Sequence, residues 1–377
     1  MICKNKSYVN NDMLMGSQKS MLVEGRGDMS LEIYKFSDIF SFQKKSHIKA
    51  GDGLLEGLYP FFTSSQNLTK RYNEAQFEGE NLIFGTGGMP SVHFCNKPFS
   101  VSTDCLVAKP NKVLESKFVY YFLIGKPWIL ANGFKGAGLK HISKSYISKI
   151  KIPLPPLEEQ KRIVRILDQA DSLSQKRQKA ISLLNDYLKA VFLDMFGTSS
   201  KNFDKWEEIE IQDLAEKKKG SMRTGPFGSN LKHSEFVDEG IAIIGIDNAV
   251  KNKFQWDVRR YITGDKYQGL KQYTVFPGDV IITIMATTGR SAVIPENIPL
   301  AINTKHLAAI TLDRALANPY FLSYSIHADH YIARQIKDRN RGAIMAGLNL
   351  GIIKKIKLRK PPIEMQNEFE QIYHKVE

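Results

Sequence analysis

Cysteine is scarce in this 377-residue chain. Only Cys3, Cys95 and Cys105 occur. No two of them form a Cys-x-x-Cys pair, which excludes a zinc ribbon and a dithiol redox motif of that kind. Such sparing use implies a reducing, cytoplasmic compartment. Long apolar runs are also missing. The longest, Phe118 to Ile124, falls far short of the ~20 residues a membrane span needs. Met1 to Gly16 are polar and lack the apolar centre of a secretory signal. No Gly-x-x-x-x-Gly-Lys-Ser/Thr loop is present, so a motor ATPase built on that loop is excluded. Acidic residues are in deficit: 39 Asp and Glu face 53 Lys and Arg, a net charge of +14. A chain this basic usually meets a polyanion, and nucleic acid is the first choice. At 42% hydrophobic and 24% charged residues, the composition is that of a globular protein.

The chain reads as a repeat. Pro155-Pro156-Leu157-Glu158-Glu159-Gln160 returns 206 residues later as Pro361-Pro362-Ile363-Glu364-Met365-Gln366. Lys149-Ile150-Lys151-Ile152 before the first copy resembles Lys355-Ile356-Lys357-Leu358 before the second. Further upstream, Gly79-Glu80-Asn81-Leu82-Ile83 answers Gly278-Asp279-Val280-Ile281-Ile282, and each runs into a glycine-containing turn. Val101 to Ala108 then answers Ala301 to Ile310 as an apolar strand. Both globular units read as mixed α and β. Asn318-Pro319 predicts a helix start, with Asn as cap and Pro at the first helical position.

A long helix follows the first proline pair. Glu158 to Phe196 holds no Pro or Gly, and Gly197 is a natural stop. Ile163, Ile166, Ala170, Leu173, Arg177, Ala180, Leu184, Tyr187 and Val191 recur at alternating steps of 3 and 4. That is a heptad seam with one interruption, Arg177, and it predicts a coiled coil. The same register in the second copy falls on Phe369, Ile372 and Val376 before the chain ends at Glu377. The second helix is therefore expected to be short.

On the boundary Ile152-Pro153-Leu154-Pro155-Pro156-Leu157-Glu158-Glu159-Gln160-Lys161-Arg162-Ile163-Val164 and the helix after it, the chain resembles the specificity (S) subunits of type I restriction-modification enzymes. Gly225-Pro226-Phe227-Gly228-Ser229 and Pro277-Gly278-Asp279-Val280 extend the likeness into the second unit. The resemblance implies an α+β fold: two pseudo-repeated mixed α/β target recognition domains separated by long antiparallel coiled-coil helices. The expected organisation is a loose tail over 1–30, the first recognition domain over 31–156 and a central spacer helix over 157–197. The second recognition domain follows over 198–360, then a truncated spacer helix over 361–377. It also implies a non-catalytic subunit with no cofactor and no metal, acting in phage defence. Each domain would read one half of a split, asymmetric site in double-stranded DNA. Methylation (M) subunits would dock on the chain, and motor-nuclease (R) subunits would join them. In the antiparallel arrangement the resemblance implies, the short second helix would cover Leu184, Tyr187 and Val191 and leave Ile163, Ile166, Ala170 and Leu173 as an apolar stripe, through which the chain would self-associate or meet a methylation subunit.

Two other readings compete. One is a self-contained DNA methyltransferase with atypical motifs. Phe84-Gly85-Thr86-Gly87-Gly88 is similar to a cofactor loop, but Met89-Pro90 blocks an immediate helix, and a tight turn between strands is preferred. Asn318-Pro319-Tyr320-Phe321 is similar to the Asn-Pro-Pro-aromatic motif of adenine methyltransferases, but a helix cap explains it. The other is a coiled-coil adaptor that binds only protein. His327 and His330 could share a helix face, without companions for a metal site.

The long helix holds seven Lys and Arg against six Asp and Glu, so the excess positive charge lies in the globular units. Loops with cations beside small polar residues are the candidate DNA contacts. In the first unit these are Ser64, Ser65, Thr86, Ser91, Lys135, Lys140 and His141. In the second they are Arg223, Ser229, Asn230, Thr288, Arg290, Lys305, Arg339, Arg341 and Asn349.

Overall fold

The computed structural model describes residues 31–339 and 347–376. The tail expected over 1–30, Arg341 and Glu377 lie outside the described residues, as does the side chain of Arg339. The chain divides into two compact units, Met1–Arg177 and Gln178–Glu377, and the division falls inside the long helix.

The first unit opens with β1 (Glu32–Lys35) and α1 (Phe36–Ile39). β1 pairs antiparallel with β9 (Lys151–Leu154), so the unit's two ends close on each other. An antiparallel sheet follows: β2 (Phe40–Phe42), β8 (Cys105–Pro110), β5 (Asn81–Gly85) and β6 (Ser91–Cys95), in that spatial order. A smaller sheet holds β4 (Lys70–Tyr72), β3 (Tyr59–Phe62) and β7 (Ser100–Val101), with β3 and β7 parallel. Helices α2 (Ser116–Gly125), α3 (Pro127–Ala131) and α4 (Lys144–Ser148) complete the unit.

β5 is buried on both faces, which explains why its sequence carries no solvent-facing alternation. Side chains still alternate along it. Leu82 and Phe84 join the core that includes Phe36, Val119 and Leu123. Ile83 points the other way, into a core with Phe62, Phe99 and Val107. The apolar run 101–108 is not one strand. It splits into β7 and β8, which belong to different sheets, around the turn at Ser102–Asp104.

The second unit repeats this plan. β10 (Glu208–Glu210) closes on β19 (Lys357–Arg359). β11 (Met222–Thr224), β18 (Leu307–Ile310), β15 (Val280–Thr283) and β16 (Ser291–Val293) form the antiparallel sheet. β13 (Tyr261–Ile262), β12 (Ile241–Ile244), β17 (Ala301–Asn303) and β14 (Thr274–Val275) form the second sheet. Val280 and Ile282 of β15 face one core and Ile281 faces another, as in β5. Helices α6 (Gly264–Gln268), α7 (Pro319–Ala328), α8 (His330–Arg339) and α9 (Leu350–Lys354) follow. Asn318 caps α7 by accepting from the N–H groups of Tyr320 and Phe321, so the Asn-Pro pair is a helix start. Asp329 ends α7, which places His327 and His330 on different helices.

α5 (Leu157–Phe196) is the long helix, and α10 (Ile363–Val376) its shorter counterpart. In the first unit α5 packs through Val164 and partly through Ile163, and Asp168 pairs with Lys117 at 2.6 Å. In the second, Leu188, Phe192 and Phe196 are buried. Phe369 of α10 meets Phe192 and Phe196 edge to face at 5.2 and 6.0 Å. This corrects the expected pairing. Leu184 and Tyr187 are 42% and 53% exposed rather than covered. Only Val191 of that predicted trio packs on the core. The packed stripe is Leu188, Phe192, Phe196, at steps of four, because α10 sits against α7 and the end of α5 and not along a heptad seam. Ile163 is likewise half-buried rather than bare, while Ile166, Ala170 and Leu173 are exposed.

The repeated glutamine explains the proline-pair motif. Gln160 is buried, accepts from the N–H of Glu115 at 3.0 Å and donates to the carbonyl of Pro155 at 2.8 Å. Gln366 is buried, accepts from the N–H of Asn318 at 2.9 Å and donates to the carbonyl of Pro361 at 2.9 Å. Each ties the start of its long helix to the start of α2 or α7. Truncating one strands buried polar groups, at about 1–3 kcal/mol. Gln366→Ala should therefore lower the urea unfolding free energy of the full chain by that amount. An unchanged midpoint would show that the clasp contributes nothing.

Candidate nucleic-acid interface

β5 leaves its sheet at Gly85, where any side chain would collide. A Cβ there would lie 2.2 Å from the Ser91 hydroxyl and 2.7 Å from Ser64 Cα. The next residue is held from both sides by its backbone. The Thr86 N–H donates to the Asp104 carbonyl at 2.8 Å, and its carbonyl accepts from the Ile142 N–H at 3.0 Å. Gly87 bridges to His141, and the Gly88 N–H reaches the Lys140 carbonyl at 3.2 Å. Lys135 and His141 exchange two backbone hydrogen bonds of 2.9 and 3.0 Å. The Ser64 and Thr86 hydroxyls both donate to the Asp104 carbonyl, at 2.7 and 2.9 Å. The Ser91 hydroxyl donates to the Ser64 carbonyl at 3.2 Å. The Ser65 carbonyl accepts from the ring of His93 at 2.9 Å, and burial lowers that imidazole's pKa.

All seven first-unit candidates therefore meet in one loop cluster, with different duties. Ser64, Thr86 and Ser91 spend their hydroxyls holding it together. Lys135, Lys140 and His141 present exposed side chains. Asp104 went unnoticed in the sequence because its carbonyl, not its side chain, is the hub. Phe84-Gly85-Thr86-Gly87-Gly88 is the end of β5 and the start of the tight turn that leads to β6.

The second unit has the same backbone frame. The Ile284 N–H donates to the His306 carbonyl and its carbonyl accepts from the Leu348 N–H, both at 2.9 Å. Met285 bridges to Gly347 as Gly87 does to His141. The turn closes through Gly289, φ +75°, and through the Thr283 hydroxyl, which accepts from the Arg290 N–H at 2.9 Å. Gly225 packs so tightly against Asn303 and Thr304 that a Cβ would lie 2.2 Å from the Thr304 carbonyl carbon. Thr288, Arg290 and Lys305 lie in this cluster, with Arg290 exposed and Lys305 half-buried. Ser229 and Asn230 are exposed on the loop that follows Gly225. Asn349 is exposed, and its side chain caps α9 by accepting from the Ile352 N–H at 2.9 Å. His327 lines a pocket with Thr288, Arg290 and Lys337. Burial first, then the nearby cations Arg290 and Lys189, lowers its pKa to about 4, so it is neutral near pH 7.

Arg223 is a correction. It does not face solvent. It sits in β11 opposite Ala309 and points into the interior. Its guanidinium donates to the Asp279 carboxylate, to the Thr274 carbonyl at 2.7 Å, and to the Gly220 carbonyl and Thr311 hydroxyl at 3.1 and 3.0 Å. Asp279 also accepts from the Thr311 hydroxyl at 2.6 Å and the Phe276 N–H at 2.8 Å. Every strong bond that Arg223 makes is internal, so it holds the sheets together and is withdrawn as a DNA contact.

Comparison with known proteins follows the two units. The family model described as "Type I restriction modification DNA specificity domain" matches residues 30–183 and again 204–377. The chain is 26% identical over 276 residues to the type I restriction enzyme MjaVIII specificity subunit of Methanocaldococcus jannaschii, covering 67% of this chain and 63% of that one. It is 22% identical over 310 residues to the type I restriction enzyme EcoBI specificity subunit of Escherichia coli, covering 77% and 65%. The chain thus spans a little under two thirds of the length of these curated relatives. A crystal structure of a type I restriction-modification S subunit from M. genitalium shares the fold, with a TM-score of 0.65 at 16% identity over 93% of this chain and 90% of that one.

The internal role of Arg223 has a measurable consequence. Removing one partner of a buried ion pair costs about 3–5 kcal/mol. Arg223→Ala should destabilise the chain to urea by that order, because Asp279 is left buried and unpaired. A fully stable variant that had lost only nucleic-acid affinity would return Arg223 to the interface.

Proposed function

The chain belongs to the type I restriction-modification DNA specificity family, and on that premise we propose that it is the DNA-reading subunit of such an enzyme. Each unit reads one half of a split, asymmetric duplex site. The chain performs no methyl transfer, strand cleavage or ATP hydrolysis itself. Methylation subunits dock on it, motor-nuclease subunits join them, and the complex works in the cytoplasm. No helix among the described residues is long and apolar enough to cross a membrane.

One observation carries the reading: the same backbone-pinned loop cluster occurs at the end of the central strand in both units, with unlike side chains. A frame held by main-chain bonds tolerates any side chain at its rim, which is what a reader of variable sequence requires. The exposed cations in the clusters, Lys135, Lys140 and Arg290, suit phosphate and base contacts alike. The continuous helix α5, about 60 Å long at 1.5 Å per residue, suits a spacer that sets the gap between half-sites.

The test is the sequence methylated when the chain is expressed with a methylation subunit of a type I restriction-modification enzyme. Replacing residues 31–156 by the corresponding unit of a relative should alter one half-site and leave the other. Inserting four residues in the exposed middle of α5 adds about 6 Å. That insertion should change the gap and neither half-site. A single-unit replacement that changed both half-sites would contradict independent reading, and methyl transfer by this chain alone would contradict the non-catalytic role.

A further inference from the structure

The two loop clusters share a feature that phosphate binding leaves unexplained. In the first unit, Met89 is 64% and Leu139 70% exposed. The hydrogen bond from the Gly88 N–H to the Lys140 carbonyl places these two residues on neighbouring strands of loop. Gly88, at φ +80°, and Gly136, at φ +145°, shape the two turns. A Cβ on Gly136 would lie 2.8 Å from the Leu139 carbonyl oxygen, so the second turn is built tight. The exposed cations Lys135, Lys140 and the imidazole of His141 surround them.

In the second unit, Phe227 is 50% exposed. It stands between Pro226 and Gly228, the latter at φ +62°. Gly225 locks the base of that loop against Asn303 and Thr304, just before Lys305 and His306. Phe227 therefore stands out from a fixed loop beside the pinned cluster.

A lone exposed apolar side chain is ordinary on any protein surface. Here the same choice recurs in both units, on glycine-shaped loops beside cations. A surface of that kind fits a partner offering phosphates and, close beside them, a small apolar feature. The major groove of duplex DNA offers both, and its apolar feature is the C5-methyl of thymine. We infer that Met89 and Leu139 in the first unit, and Phe227 in the second, contact thymine methyl groups, one set in each half-site. The inference rests on the DNA-reading function proposed above and names the base feature that function uses. Each half-site then contains an A·T pair read through its methyl.

The full chain is used to select bound duplexes from a randomised pool, which yields its preferred sequence. That duplex is then made with deoxyuridine in place of thymine at each position in turn. For the unaltered chain, removing a single contacted methyl, in either half-site, should weaken binding about four-fold, the effect of un-burying one methyl group. Met89→Ser with Leu139→Ser should weaken binding to the thymine duplex and become indifferent to the methyl in one half-site only. Phe227→Ser should do the same in the other half-site. The salt dependence should stay unchanged in both variants, since no phosphate contact is lost. Indifference of the unaltered chain to every methyl, or variants that still respond to both, would overturn the inference while leaving DNA reading intact. Absence of any salt-dependent duplex affinity in the unaltered chain, or capture of an acidic protein in preference to duplex, would overturn both.

Discussion

The arrangement depends on one residue per unit whose backbone is hydrogen-bonded on both sides. Thr86 is held between the Asp104 carbonyl and the Ile142 N–H, and Ile284 between the His306 carbonyl and the Leu348 N–H. Neither bond uses a side chain, so the frame forms around a threonine, whose hydroxyl adds a bond to the Asp104 carbonyl, and around an isoleucine, which adds none. Each bond fixes the turn after a central strand that is buried on both faces, β5 or β15. The loops before β8 and β18, and those before α4 and α9, are drawn to that turn. Everything assigned to recognition hangs from this frame.

The rest of the fold isolates the frame from sequence change. Main-chain ladders close each unit at β1 with β9 and at β10 with β19. The buried amides of Gln160 and Gln366 fix the helices that follow. The second unit adds the interior Arg223–Asp279 pair. Such a pair is weak evidence for net stability, but losing one member is costly. Surface pairs along α5, such as Arg162 with Glu159, are screened by solvent and set no geometry.

Much of this was legible in the sequence. The repeat, the proline pairs and the asparagine cap at Asn318 were visible because they are local: turns and caps demand particular residues at particular offsets. The seven first-unit candidates, picked as small polar and basic loop residues, fall in one loop cluster, where the hydroxyls of three of them act as fasteners. What failed was non-local. The 3–4 spacing from Ile163 to Val191 suggested a heptad partner, but which stripe packs is decided by where α10 lands, and Phe369 selects Phe192 and Phe196. Arg223 looked like a loop cation because its partner Asp279 lies 56 residues away. The carbonyls of Asp104 and His306 carry no side-chain signature at all. The run 101–108 read as one strand because hydrophobicity does not reveal that β7 and β8 serve different sheets.

On the function proposed above, the pinned loop clusters, and not the rest of the basic surface, meet DNA. Lysine reactivity measured by mass spectrometry on the full chain, with and without its duplex, tests it directly. Lys135 and Lys140 belong to one cluster and Lys305 to the other. Lys217, Lys218 and Lys219 are an exposed basic turn tied through Ser221 and Glu216 to Thr311, at the far end of β18 from Lys305. Duplex should shield Lys135, Lys140 and Lys305 from acylation and leave Lys217 to Lys219 as reactive as before. Shielding of the 217–219 turn with no change at the three cluster lysines would contradict it.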